Sequence, residues 1–212
     1  LFAGGILFLK FEGRAMRQVG RILLGIAFIL LSLRMIGDAT APLRYSAILP
    51  AAVDYLRADP VIAFAVAALL TWLIHSSVAT ILLLASFAAQ GLLPAEVAIP
   101  LVLGTNLGAG VMGVWLTRDQ PPEAWRIPVG NLVFRGSAAL AGLAAFALVG
   151  FPLDRLGTGA AAVVNLHLAF NLLMAILMLP LVGLVAKLVT RLLPDRPNAA
   201  DDRLRPRHLD KE

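Results

Sequence analysis

Long apolar blocks dominate the pattern of this 212-residue chain, rather than the alternation of a strand or the narrow stripe of a soluble helix. Two of the blocks are conspicuously short. Val61 to Ile74 holds 14 residues and Ile81 to Leu93 holds 13, and the hydroxyl-rich hexapeptide His75-Ser76-Ser77-Val78-Ala79-Thr80 stands between them. At helical rise each block reaches roughly 20 Å, against a hydrocarbon core of about 30 Å. A row of hydroxyls at membrane depth is a costly choice over continuous apolar helix, which makes the hexapeptide a candidate binding site.

The rest of the pattern predicts helices. Leu1–Leu9 reads as part of a transmembrane helix, followed by a basic loop, so that residues 1–21 form the first segment. Residues 22–60 comprise a connecting helix, Ile22 to about Ile36, closed by Gly37-Asp38, and an external, polar, Pro-containing stretch from Asp38 to Pro60. Residues 61–190 then hold the short pair (61–93), a helix over 97–117 broken by Pro100 and by Gly104-Thr105-Asn106-Leu107-Gly108-Ala109-Gly110, and helices over 127–150 and 159–190. Residues 191–212 read as a polar linker with Pro197 and Pro206. Both ends of the chain read as cut.

Composition agrees with a membrane setting. Hydrophobic residues make up 59% of the chain and charged ones 15%, with a mean hydropathy of +0.85; soluble domains carry about 25% charged residues. The net charge of +5 gathers at the N-terminal loop and the C-terminal tail. No basic stripe with interleaved aromatics occurs, which argues against nucleic acid as a partner. With no cysteine there is no thiol nucleophile or Cys-type metal site, and the redox compartment stays open.

Charge placement bears on how the hexapeptide is threaded. The segment Lys10–Arg21 has four basic residues and one acid, and Lys187–Glu212 has seven Lys/Arg against five Asp/Glu. The positive-inside bias puts both ends in the cytoplasm. That requires an even number of crossings, which holds if 61–93 enters and leaves on one face. The expected fold is therefore an all-α membrane protein, multi-pass in the plasma (inner) membrane, with a re-entrant helical hairpin whose tip is the hexapeptide. A short internal similarity adds to this: Asn131-x-x-Phe134-Arg135 and His167-x-x-Phe170-Asn171 place polar residues inside two apolar helices, suited to packing around a shared polar cavity.

The chemistry follows from residue types. Hydroxyls, amides and free carbonyls suit a hard cation, whereas an oxyanion needs donors such as helix N-terminal N–H groups. Ser76, Ser77 and Thr80 can serve either ion, as can Asn106, with Thr105 beside it and His75 at the head of the hexapeptide. Arg135, Asn131, His167 and Asn171 are secondary candidates, Arg135 because a guanidinium within a span can attract an anion, pair with a carboxylate or snorkel. Each has a plainer role available, since Ser and Thr in membrane helices often bond back to a carbonyl.

Taken together, these residues resemble the sodium/phosphate cotransporter family (type II, and bacterial relatives joined to a PhoU-like domain). Thr71-Trp-Leu-Ile-His75-Ser76-Ser77-Val78-Ala79-Thr80 is similar to its Gln-Ser-Ser-Ser-Ala-Thr signature, and Gly104-Thr105-Asn106-Leu107-Gly108 to its Gly-Ala-Asn-Ile-Gly-Thr motif. His167-x-x-Phe170-Asn171 resembles its His-x-x-Phe-Asn element, Gly25–Leu43 its connecting helix, and Arg205–Asp210 the link to the PhoU-like domain. The departures are His75 for glutamine, Val78 for a third serine, Ala109 for threonine and Arg135 for asparagine. The resemblance implies one half of an inverted-repeat transporter, the second repeat, with the first as its missing partner. It implies sodium-coupled symport of inorganic phosphate by alternating access, with sodium held at Ser76, Ser77, Thr80 and Asn106 and no organic cofactor. Membrane lipid surrounds such a protein. The alternatives are a degenerate non-transporting scaffold, a transporter of another anion, and an intramembrane serine peptidase with Ser76 or Ser77 as nucleophile and His75 or His167 as base. The expectation is a non-enzyme.

Overall fold

A computed structural model describes residues 1–150 and 153–194, and every regular element among them is helical. Four helices are long and apolar enough to cross a membrane: Arg14–Thr40, Glu96–Leu116, Pro122–Val149 and Gly159–Leu192. Their outward faces carry exposed apolar side chains such as Phe28, Leu30, Leu172 and Ile176, which lipid accommodates and water does not. The chain is an all-α, multi-pass membrane protein.

Helix α1 (Phe2–Lys10) lies antiparallel on α2 (Arg14–Thr40). They meet where both backbones lack a side chain: a Cβ on Gly20 would sit 2.6 Å from the Phe8 nitrogen, and one on Gly4 would sit 3.0 Å from the Leu24 nitrogen. Helix α2 is longer than the 22–36 expected. The basic segment 14–21 is its first two turns rather than loop, and it runs through Gly37-Asp38, where Arg34 and Asp38 approach to 3.8 Å one turn apart. The stretch expected as irregular from Asp38 to Pro60 is also largely helical, with a 3-10 turn (Ala41–Tyr45) and α3 (Ile48–Ala58). Pro50 sits in the first turn of α3, where its missing N–H has no helical partner to lose.

Asp59 separates α3 from α4 (Pro60–Ile74) with a bend of 117°. Its carboxylate caps α4 by accepting from the amides of Val61 (2.9 Å) and Ile62 (3.0 Å), and Pro60 supplies the first helical residue. After the break at His75-Ser76 comes α5 (Ser77–Ala89), which ends in a left-handed Gly91 with the Leu92 amide returned to the Phe87 carbonyl at 2.9 Å. At 15 and 13 residues, α4 and α5 each fall short of a span.

Helix α6 (Ala95–Leu116) is the axis of the bundle: Val97 to Leu103 is an unbroken buried run. The break expected at Gly104–Gly110 does not occur, and α6 is one continuous helix. Its glycines form a seam against α4 instead. A Cβ on Gly104 would overlap the Phe64 carbonyl oxygen, and one on Gly108 would overlap that of Ala68. Small residues four apart let helix backbones close up in this way. Phe64 pairs with Gly104, Ala68 with Gly108, and the Trp72 and Trp115 rings meet edge-on at 5.5 Å, so α4 and α6 run parallel. Parallel neighbours require α5 to return the chain between them.

Helix α7 (Pro122–Val149) packs on α6 and starts five residues before the expected 127. Helix α8 (Gly159–Met178) packs on α5. The single helix expected over 159–190 is divided by a 3-10 turn at Leu179-Pro180-Leu181, since proline interrupts the helical ladder, and continues as α9 (Val182–Leu192). Arg126 on α7 ties the far end of α9 down, donating from Nε (2.9 Å) and an Nη (2.7 Å) to the Leu193 carbonyl. Of the linker expected over 191–212, Arg191 and Leu192 instead complete α9, and residues 195–212 lie outside the described residues.

Candidate functional site

Four residues turn the chain around at the hexapeptide. His75 takes the left-handed conformation (φ 58°) that ends α4, the sole non-glycine residue with positive φ among the described residues. Its ring is exposed, with Nδ1 3.0 Å from the Leu73 carbonyl. Ser76 is extended and caps α5, its Oγ accepting from the Ala79 amide at 3.1 Å. Beneath the turn, Thr80 is fully buried; its hydroxyl donates to the Ser76 carbonyl (3.1 Å) and lies 3.2 Å from that of Thr71, which donates to the Ala67 carbonyl (2.8 Å). Thr71 and Thr80 are nine residues apart, a distance of roughly 13 Å in a continuous helix, so their contact fixes the fold-back at the tip.

Two features of this turn are open to a ligand. Among the described residues the half-buried Ser77 hydroxyl makes no hydrogen bond. The first-turn amides of Ser77 and Val78 have no carbonyl within α5 to pair with, whereas those of Ala79 and Thr80 are taken by Ser76. The indole Nε1 of Trp72, one residue after Thr71, is buried and without an acceptor among the described residues. Thr71 and Trp72 were not singled out from sequence, although a hydroxyl one turn before the break is a readable signal.

A left-handed histidine costs about 1 kcal/mol against glycine at the same place. His75→Gly is therefore expected to leave the melting temperature of the purified protein unchanged or slightly raised, and His75→Val to lower it, because a β-branched residue fits that conformation worst. Thermal melting of the two variants side by side checks this; equal melting temperatures would mean the turn is not held as described.

A second polar group joins α6 to α7. Asn106, twelfth of the 22 residues of α6, is wholly buried; its amide nitrogen donates to the Val102 carbonyl at 3.1 Å. Its oxygen accepts from an Nη of Arg135 at 2.8 Å, and Arg135 Nε donates to the Asn131 oxygen at 3.3 Å. Arg135 thus pairs with two amides, and no carboxylate comes within salt-bridge distance of it among the described residues. Thr105 is buried with its hydroxyl turned back to the Leu101 carbonyl (3.0 Å). A third pair sits on α8, where Asn171 Nδ2 donates to the His167 carbonyl at 2.8 Å. In both repeats of the polar-x-x-Phe-polar pattern, then, the two polar residues touch one turn apart.

These groups remain separate in hydrogen bonding. No hydrogen bond among the described residues joins the hexapeptide to Asn106, Arg135, His167 or Asn171, and no serine hydroxyl bonds a histidine ring. No cluster of three His, Cys, Asp or Glu able to hold a transition metal occurs there either. A cavity of about 490 Å³ opens between α7 and α9, reaching Asn131 and Phe134 but not the hexapeptide.

Comparison with known proteins gives a consistent picture. A family model described as Na+/Pi-cotransporter matches residues 45–192. Similar curated proteins include the "Putative inorganic phosphate export protein YjbB" of Escherichia coli (strain K12), 30% identical over 99% of this chain and 39% of that protein. Its Salmonella typhimurium counterpart is 29% identical over the same shares. The "Uncharacterized protein YqeW" of Bacillus subtilis is 27% identical over 92% of this chain and 64% of its own length. The chain thus spans about two fifths of the phosphate export proteins it matches. No solved structure matches.

Proposed function

The chain belongs to the Na+/Pi-cotransporter family, and from that membership we propose that the intact protein carries inorganic phosphate across the plasma membrane, with this chain supplying half of the binding site. The observation that carries the proposal is the turn at His75–Ser77. It offers a free serine hydroxyl and two unpaired amides at the positive end of α5, which is the chemistry a phosphate oxygen needs. In this reading α4 and α5 form a re-entrant hairpin, both chain ends are cytoplasmic, and the tip faces the matching elements of a first repeat elsewhere in the intact protein, which supplies the other half of the cradle. The tail leads on toward a PhoU-like domain.

Sodium coupling belongs to the same proposal. The Ser76 and Thr80 oxygens and the carbonyls around the turn are hard ligands, and a cation bound beside the anion lowers the cost of holding it. His75 lines the mouth of the turn, and His167 and Asn171 brace α8. A peptidase reading loses ground because the Ser76 hydroxyl accepts a capping hydrogen bond and, among the described residues, no serine hydroxyl hydrogen-bonds a histidine ring. The relatives are named for export, and in this reading phosphate moves in whichever direction the combined gradients of phosphate and sodium favour.

Reconstituting the intact protein in vesicles and following radiolabelled phosphate tests this. Flux above that of empty vesicles is expected, accelerated by a sodium gradient in the same direction. Absence of flux under every gradient rejects the transport reading, and flux indifferent to sodium rejects the coupling alone.

A further inference from the structure

Arg135 stands where an all-apolar helix would be far cheaper. It is fourteenth of the 28 residues of α7, level with the middle of a span, and a guanidinium keeps its charge there. Such residues usually face a carboxylate, yet here the partners are two neutral amide oxygens, Asn106 Oδ1 at 2.8 Å and Asn131 Oδ1 at 3.3 Å. Asn106 comes from the buried centre of α6 and Asn131 from one turn earlier on α7, so the two oxygens converge from different helices on one positive centre. Amide oxygens converging at the middle of a membrane protein are the ligands a hard monovalent cation takes.

We infer that Arg135 is a tethered cation: its guanidinium occupies the oxygen pair of Asn106 and Asn131 in place of a mobile sodium ion, and it keeps a fixed positive charge inside the bundle that offsets part of the charge of a bound phosphate. The inference rests on the phosphate reading for the anion but not for the cation. Because the charge is covalently held, it returns with the protein in every cycle and carries no ion across. One sodium fewer is then needed per phosphate, which loosens the transport from the inward sodium gradient. A carrier that must release phosphate outward gains from such loosening, in keeping with relatives named as export proteins.

Removing the charge while keeping a polar side chain should open the oxygen pair to a free ion. In the purified intact protein, Arg135→Gln and the shorter Arg135→Asn are each expected to bind one more sodium per molecule than the unaltered protein, read as saturable binding of radiolabelled sodium. Arg135→Lys, which keeps the charge, adds none. Phosphate binding in sodium-free choline buffer should weaken in the neutral variants and recover with sodium, since the fixed positive charge is lost and a bound sodium ion restores it. Each variant must elute as a single species in detergent, and the two neutral replacements differ enough in size that either one serves. Unchanged sodium binding in a folded neutral variant overturns the inference. A gained sodium site in a protein that binds no phosphate sustains the tethered cation and rejects phosphate as the anion.

Discussion

Ser77→Ala is expected to cut phosphate flux by the intact protein about ten- to a hundredfold while leaving its melting temperature in place. The Ser77 hydroxyl makes no hydrogen bond among the described residues, so its removal leaves no protein group unpaired. A hydroxyl donating to a charged phosphate oxygen contributes roughly 1.5–3 kcal/mol, which sets the size of the loss. Ser76→Ala should behave differently. It removes the cap on the Ala79 amide, so stability falls by about 1 kcal/mol alongside flux. Paired flux and melting measurements separate the two serines. A Ser77→Ala protein that transports at the unaltered rate would show that the turn does not touch the anion.

Gly104→Ala is the most damaging single methyl the fold offers. Alanine normally gains up to about 1 kcal/mol over glycine inside a helix. Here the new Cβ would overlap the Phe64 carbonyl oxygen, a backbone atom that cannot swing away, and overpacking of this kind costs about 1–3 kcal/mol. The overlap wins, and the melting temperature should drop by several degrees in detergent. Gly25→Ala on α2 is the matched control, since nothing lies within 4 Å of its Cβ position. It should hold or raise stability. If both variants shift alike, α4 and α6 do not meet at this seam.

The hexapeptide turn was legible because two undersized apolar runs flanking a hydroxyl cluster leave helix, turn, helix as the economical reading, and the structure breaks at His75-Ser76. The glycine run of α6 was misread for a physical reason. Glycine marks both helix breaks and close helix contacts, and only the Phe64 and Ala68 carbonyls on α4, some 40 residues away, decide between them. Gly37-Asp38 failed likewise, because a stop signal in sequence is overridden when the next turn of α2 can form without strain. Asp59-Pro60, by contrast, is a capping pair that agrees with the boundary expected between residues 60 and 61; what the polar stretch before it conceals is helix α3. Arg135 drew attention by its charge alone. Its tie to Asn106 spans 29 residues and two helices, so spacing could not reveal it.

The parallel seat of α4 on α6 also limits how these two helices can move against each other. With the glycine teeth of α6 meshed against the α4 carbonyls and the two tryptophan rings clasped above them, α4 cannot slide along α6 without lifting off it. Movement between α4 and α6 would therefore have to begin with separation and not with a slide, and the Thr71–Thr80 hydrogen bond carries the start of α5 along with α4. Trp72 and Trp115 bridge that seam edge-on at 5.5 Å, so a fluorescence change of this pair would report the two helices parting.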